Sequence, residues 1–124
     1  MILNHLNLTV TDVTAAKEFL QTYFGFKIGG ERGQSFAALF DDQGMVLTLM
    51  RGTEVNYPKT FHIGFIQESE AKVNEIHQRL SDDGFDVTAP QRAHGWTFYV
   101  KAPGGFTVEV LALMIMVTWY VNDC

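Results

Sequence analysis

The feature that most constrains this chain is a repeat. His5 and His62 lie 57 residues apart, and the order of predicted elements around each is the same. From Ile2 to Val10, Leu6, Leu8 and Val10 fall on one face and His5, Asn7 and Thr9 on the other, the period of a half-buried strand. Thr11-Asp12 then offers a helix start, Ala16, Phe19, Leu20 and Tyr23 recur at helical spacing, and Gly25 supplies a favoured left-handed stop. Short strands are predicted over Phe26–Ile28, Ser35–Phe40 and Met45–Met50, the last two joined by the turn Asp41-Asp42-Gln43-Gly44. The first half therefore reads βαβββ.

The second half runs through the same series. Phe61–Ile66 is a predicted strand, and Glu70–Leu80 a helix with Val73, Ile76 and Leu80 on one face. Gly84-Phe85 echoes Gly25-Phe26, and strands over Trp96–Lys101 and Phe106–Leu111 flank a turn at Pro103-Gly104-Gly105. Two copies are too few for a solenoid, so the expected fold is α+β: two βαβββ modules whose curved mixed sheets form a cleft. The expected boundaries are 1–52 for the first module, 53–60 for a polar, breaker-rich linker, 61–112 for the second module and 113–124 for an apolar extension without counterpart in the first half.

Composition removes several classes of function. The chain has 124 residues, enough for one domain of two fused halves, and 47% hydrophobic against 19% charged residues is ordinary globular usage. A formal charge of −5 with no Lys/Arg cluster leaves no footprint for nucleic-acid phosphates. The start Met1-Ile2-Leu3-Asn4-His5 lacks the basic and apolar segments of a secretory signal, so a cytoplasmic protein is expected. Cys124 is the sole cysteine, which excludes an intrachain disulfide and a thiolate metal site. The apolar run Leu111–Val121 is far shorter than the roughly 20 residues of a membrane-spanning helix. It is expected to be covered at a subunit interface, which predicts a homodimer with no membrane partner.

Two stretches carry a family resemblance. His5-Leu6-Asn7-Leu8-Thr9-Val10-Thr11-Asp12, followed by a helix ending Tyr23-Phe24-Gly25-Phe26, resembles the opening module of the vicinal oxygen chelate superfamily, which includes glyoxalases, bleomycin-resistance proteins and extradiol dioxygenases. The segment Phe98 to Val110 is similar to its closing hairpin: an aromatic-rich strand, a Pro-x-Gly turn and a strand bearing Glu109. Ala102 stands where the family usually has Asp, so that turn lacks one side-chain hydrogen bond to its own backbone. Thr48 occupies the position equivalent to Glu109 in the first half, whereas lactoylglutathione lyases place a carboxylate in each half.

The resemblance implies a metal site. It assigns His5, His62 and Glu109 as ligands of one divalent ion, Fe, Mn, Ni, Co or Zn, with the remaining positions open to water or substrate. The implied function is a metal-dependent enzyme acting on a small organic substrate with neighbouring oxygens: a dioxygenase, lyase, isomerase or resistance-type transferase. The alternative is a metal-free drug- or small-molecule-binding protein of the bleomycin-resistance type. Glu109 is also a candidate catalytic group, with Tyr99, which resembles the tyrosine beside the iron of extradiol dioxygenases, and His94, on a loop where relatives place substrate contacts. His77, within a polar helical stretch, is expected on a solvated face with no role. Some of Phe36, Phe40, Trp96, Phe98 and Tyr99 are expected to line the cleft and favour an apolar or aromatic ligand.

Overall fold

The computed structural model describes residues 1–113. The extension expected over 113–124, with the interface and dimer role assigned to it, lies outside the described residues apart from Leu113. The described residues form two compact units, one made of Met1–Lys59 with Ala102–Phe106, the other of Thr60–Lys101 with residues 107–113.

The first sheet contains β1 (His5–Val10), β2 (Lys27–Arg32), β3 (Phe36–Phe40) and β4 (Val46–Arg51), in the order β1-β4-β3-β2, with helix α1 (Val13–Phe24) after β1. β1 runs parallel to β4 and the other pairings are antiparallel. The alternation read from β1 holds: Leu8 and Val10 are buried while His5, Asn7 and Thr9 are exposed. Asp12 caps α1 by accepting from the Ala15 N–H at 3.0 Å, and Val13, Ala16, Phe19 and Leu20 form the buried stripe. Each large apolar side chain so buried contributes about 1.5–3 kcal/mol. The helix stops at Gly25, whose φ of 71° is the left-handed conformation that a Cβ would strain. β2 is longer than its apolar residues imply, because a bulge between Ile28 and Gly30 lets its polar half continue the ladder to Arg32.

The second sheet contains β5 (Ile63–Ile66), β6 (Gln91–Arg92), β7 (Trp96–Ala102) and β8 (Phe106–Ala112), in the order β5-β8-β7-β6, with helix α2 (Glu70–Asp82) after β5. β5 is parallel to β8, the same parallel pairing that joins the first and last strands of the first sheet. Ser69 caps α2 by accepting from the Lys72 N–H at 3.1 Å, and Val73, Ile76 and Leu80 are its buried face, as their spacing predicts. The architecture is thus the α+β pair of βαβββ modules expected from the repeat. β6 has only two residues, both exposed, so it carried no alternation to read. His62 falls just before β5, whose ladder begins at Ile63, although the strand was expected from Phe61. His77 corrects another expectation: it is half-buried, its ring edge-on to that of buried Phe98 at 5.0 Å. No helix among the described residues is long and apolar enough to cross a membrane.

Candidate metal centre

β8 is almost wholly apolar, and Glu109 interrupts it with a carboxylate only 4% exposed. A bare buried carboxylate would be costly, so its partners decide what it is. Both Thr97 on β7 and His94 in the bend before β7 address Oε2: the Thr97 hydroxyl donates at 2.6 Å and His94 Nε2 at 2.5 Å. His62 Nε2 lies 3.3 Å from the other oxygen, Oε1. Burial pushes the Glu109 pKa up. The hydrogen bonds from Thr97 and His94 and the charges of His94 and His62 overcome that push, and the carboxyl sits below its ordinary range. Glu109 is therefore a carboxylate at neutral pH.

The neighbouring strand makes room for these contacts. In the β5–β8 ladder Glu109 faces Gly64, and a Cβ at Gly64 would already stand 3.9 Å from Oε1. A larger residue there would crowd the carboxylate from the side His62 uses.

The tautomer of His62 follows from its second ring nitrogen. Nδ1 lies 2.9 Å from the Thr60 carbonyl oxygen, which can only accept, so Nδ1 carries the proton. Nε2 is left to present either a lone pair or a second proton to Oε1. A lone pair facing a carboxylate oxygen is repulsive unless a cation lies between them, either a proton or a metal ion. Donors about 2.1 Å from one ion at right angles stand about 3 Å apart, close to the observed gap. Nδ1–H on a backbone carbonyl is also the support that metal-bound histidines commonly receive. The chemistry and spacing of this pair fit a divalent ion.

His94 differs in kind. Its 2.5 Å approach to Oε2 is a hydrogen-bond distance, too short for two ligands of one ion. The bend that carries it is fixed on both sides. Arg92 makes a two-pronged ion pair with Glu70 of α2, at 2.7 and 2.9 Å, and lies over the Trp96 ring at 5.1 Å, while the Trp96 indole N–H donates to Asn74. On the other side, a Cβ at Gly95 would meet the Ala112 carbonyl oxygen at 2.5 Å, so the bend lies directly against the end of β8. Tyr99 sets its ring edge-on to His62 at 5.5 Å. Burial, with the negative charge of Glu109 nearby, raises the phenol pKa, so Tyr99 keeps its proton.

The first unit treats the equivalent positions differently. Its ladder pairs Asn7 with Thr48 where the second unit pairs Gly64 with Glu109, and the Thr48 hydroxyl donates to Asn7 Oδ1 at 2.7 Å. That pair is satisfied internally and holds no charge. His5, the remaining candidate ligand, is exposed at the first position of β1, opposite Val46. Among the described residues no group of three or more His, Cys, Asp or Glu side chains forms a ready cage for a metal ion. What the second unit assembles is a two-donor pair, His62 and Glu109, with His94 hydrogen-bonded behind the carboxylate.

The family profile described as Glyoxalase/Bleomycin resistance protein/Dioxygenase superfamily matches residues 2–110. The chain belongs to this superfamily. Among solved structures it is similar to a possible glyoxalase from Bacillus cereus, at 58% identity and a TM-score of 0.87 over 90% of this chain and 98% of that one. Other superfamily folds superpose at lower identity. A fosfomycin resistance protein from Listeria monocytogenes, complexed with Mn(II) and 1S,2S-dihydroxypropylphosphonic acid, has 22% identity and a TM-score of 0.76 over 90% of each chain. A lactoylglutathione lyase from Agrobacterium tumefaciens has 18% identity and a TM-score of 0.71 over 90% of this chain and 92% of that one. No curated protein matches the sequence. Within this member of the glyoxalase superfamily, Thr97 is the site residue that sequence reasoning missed. Thr97 and Tyr99 alternate with buried Phe98 and Val100, and that alternation was the available signal. Which polar group Thr97 would meet depended on strand register, which no local pattern in β7 contains.

Proposed function

We propose that the protein is a divalent-metal-dependent enzyme of the vicinal oxygen chelate type, acting on a small organic substrate that carries neighbouring oxygens. His62 and Glu109 hold the ion; the family resemblance adds His5 as a candidate third ligand, which the His5→Ala variant tests. The observation that carries this reading is the pairing of His62 Nε2 with Glu109 Oε1 at 3.3 Å, with the His62 proton committed to Thr60 on the far side of the ring. When bound, the ion acts as a Lewis acid toward the adjacent substrate oxygens.

The protein's own groups divide the remaining work. Glu109 supplies the negative charge that makes the site selective for a cation, and its depressed pKa keeps that charge in place through neutral pH. Tyr99 retains its proton beside His62 and is a hydrogen-bond donor for a substrate oxygen. His94, with its side chain half exposed, borders the site on the Oε2 side. Thr48 in place of a second carboxylate argues against the two-carboxylate ligand set of lactoylglutathione lyases. On the same reading the protein works as a homodimer, with the apolar run Leu111–Val121 as its motivation, and a single-chain mass in solution at micromolar concentration would overturn the dimer.

Metal content decides the main point. Purified without chelator and reconstituted separately with Mn, Fe, Co, Ni and Zn, the wild type is expected to take up one ion per chain. His62→Ala and Glu109→Gln are expected to lose it, and His5→Ala to weaken it. Absence of stoichiometric uptake by the wild type would replace this reading with a metal-free small-molecule-binding protein.

A further inference from the structure

Glu109 can hold an ion through one oxygen or two, and the structure treats the two oxygens unequally. Oε2 accepts two short hydrogen bonds, from the Thr97 hydroxyl at 2.6 Å and from His94 Nε2 at 2.5 Å, while Oε1 alone faces His62. Resting on the metal reading above, we infer that His94 is a positioning residue. Together with Thr97 it occupies Oε2 and so confines Glu109 to one-oxygen ligation of the ion through Oε1.

Three observations beyond the contact itself support the assignment. Thr97 is 1% exposed and Glu109 4%, so the carboxylate plane is held by packing and cannot rotate to exchange its oxygens without breaking the Thr97 bond. His94 is carried on a bend anchored by the Arg92–Glu70 ion pair and by the close approach of Gly95 to Ala112. A histidine whose side chain is 52% exposed would lose freedom in such a contact, and that cost is smaller when the backbone is already fixed. The equivalent ladder pair of the first unit, Asn7 and Thr48, has no carboxylate to orient: Thr48, which stands where Glu109 does, donates to Asn7 opposite it.

One-oxygen ligation has a consequence for ion choice. Calcium favours many oxygen ligands, often including a carboxylate that grips with both oxygens, whereas smaller ions such as Mn(II) accept an imidazole and a single carboxylate oxygen in a tighter shell. Withholding Oε2 therefore disfavours Ca(II). Losing the His94 donor leaves that oxygen with the Thr97 hydrogen bond alone and one acceptor position open to an ion, and selectivity narrows.

The test is calorimetric titration of the metal-free full chain with MnCl2 and, separately, CaCl2. Wild type, His94→Ala, His94→Gln, Thr97→Val and His62→Ala are compared, with far-UV circular dichroism confirming that each folds. His94→Ala is expected to weaken Mn(II) binding about 10- to 100-fold, the usual effect of removing a hydrogen bond that orients a ligand. It should weaken Ca(II) binding less, so that the ratio of the two affinities falls. His94→Gln keeps an N–H donor and is expected to recover most of the Mn(II) affinity, and Thr97→Val to shift the ratio in the same direction as His94→Ala. Wild-type Mn(II) affinity in His94→Ala, or a His94→Gln variant as weak as His94→Ala, overturns the positioning role while leaving the metal reading intact. Failure of the wild type to bind Mn(II), or undiminished binding by His62→Ala, overturns the His62–Glu109 metal site and this inference with it.

Discussion

Glu109 shows how a single residue takes its character from its neighbours. Burial alone would favour the neutral acid, yet Thr97, His94 and His62 hold it as a carboxylate with its pKa below the ordinary range. A depressed carboxylate pKa means that the unfolded chain binds the proton more readily. The stability this group contributes is therefore fully present above the ordinary carboxylate range and is lost as pH falls through the folded-state pKa. Urea denaturation of the metal-free protein between pH 3 and 7 should show a shallower acid loss of stability in Glu109→Gln than in wild type. Equal acid limbs would mean that the carboxylate is not preferentially stabilised by folding. The candidacy of Glu109 was readable in the sequence, as an acidic residue in an apolar strand repeating at the end of a module. Its three partners were only partly readable: His62 from the repeat, His94 as a loop histidine beside the hairpin, and Thr97 not at all. The hydrogen bond from Thr97 arises because β7 and β8 are neighbours in a given register, and register is a relation between strands.

At the scale of elements, both helices follow from local signals, with the capping residues Asp12 and Ser69 and the apolar stripes where spacing places them. The strands divide according to how much alternation they contain. β1 was legible because it is half-buried, whereas β6 has two exposed residues and no periodicity, and β2 continues past its apolar start only through a bulge. The bend between β6 and β7 is the element on which the candidate site most depends. Gly95→Ala places a methyl group 2.5 Å from the Ala112 carbonyl, backbone that cannot yield as a side-chain tip would. The expected result is a stability loss of about 1–3 kcal/mol by chemical denaturation, the usual cost of overpacking. The same variant should bind Mn(II) more weakly because His94 is carried away from Oε2. A variant with wild-type stability and affinity would show that the bend adjusts freely.

For the whole molecule, ligation of an ion by the folded chain alone makes stability depend on metal concentration. At free Mn(II) about a hundredfold above its dissociation constant, the gain is about 2.7 kcal/mol, which at roughly 2–8 °C per kcal/mol raises Tm by about 5–20 °C for a chain of this size. Thermal unfolding followed with and without Mn(II) should show that rise in wild type and none in Glu109→Gln; a rise of equal size in both would place the ion elsewhere. The two-module α+β plan was visible in the order of elements, because hydrophobic period, capping and turn residues are local properties that each half displays independently. The sequence by itself determined that there are two βαβββ modules and that the second carries His62 and Glu109. Tertiary structure alone decided that Thr97 and His94 both take one oxygen of Glu109, leaving the other to His62. The reason is that hydrogen bonds act over about 3 Å. Contacts of that reach between residues 12 to 47 positions apart are created by strand order and register, which no one segment encodes.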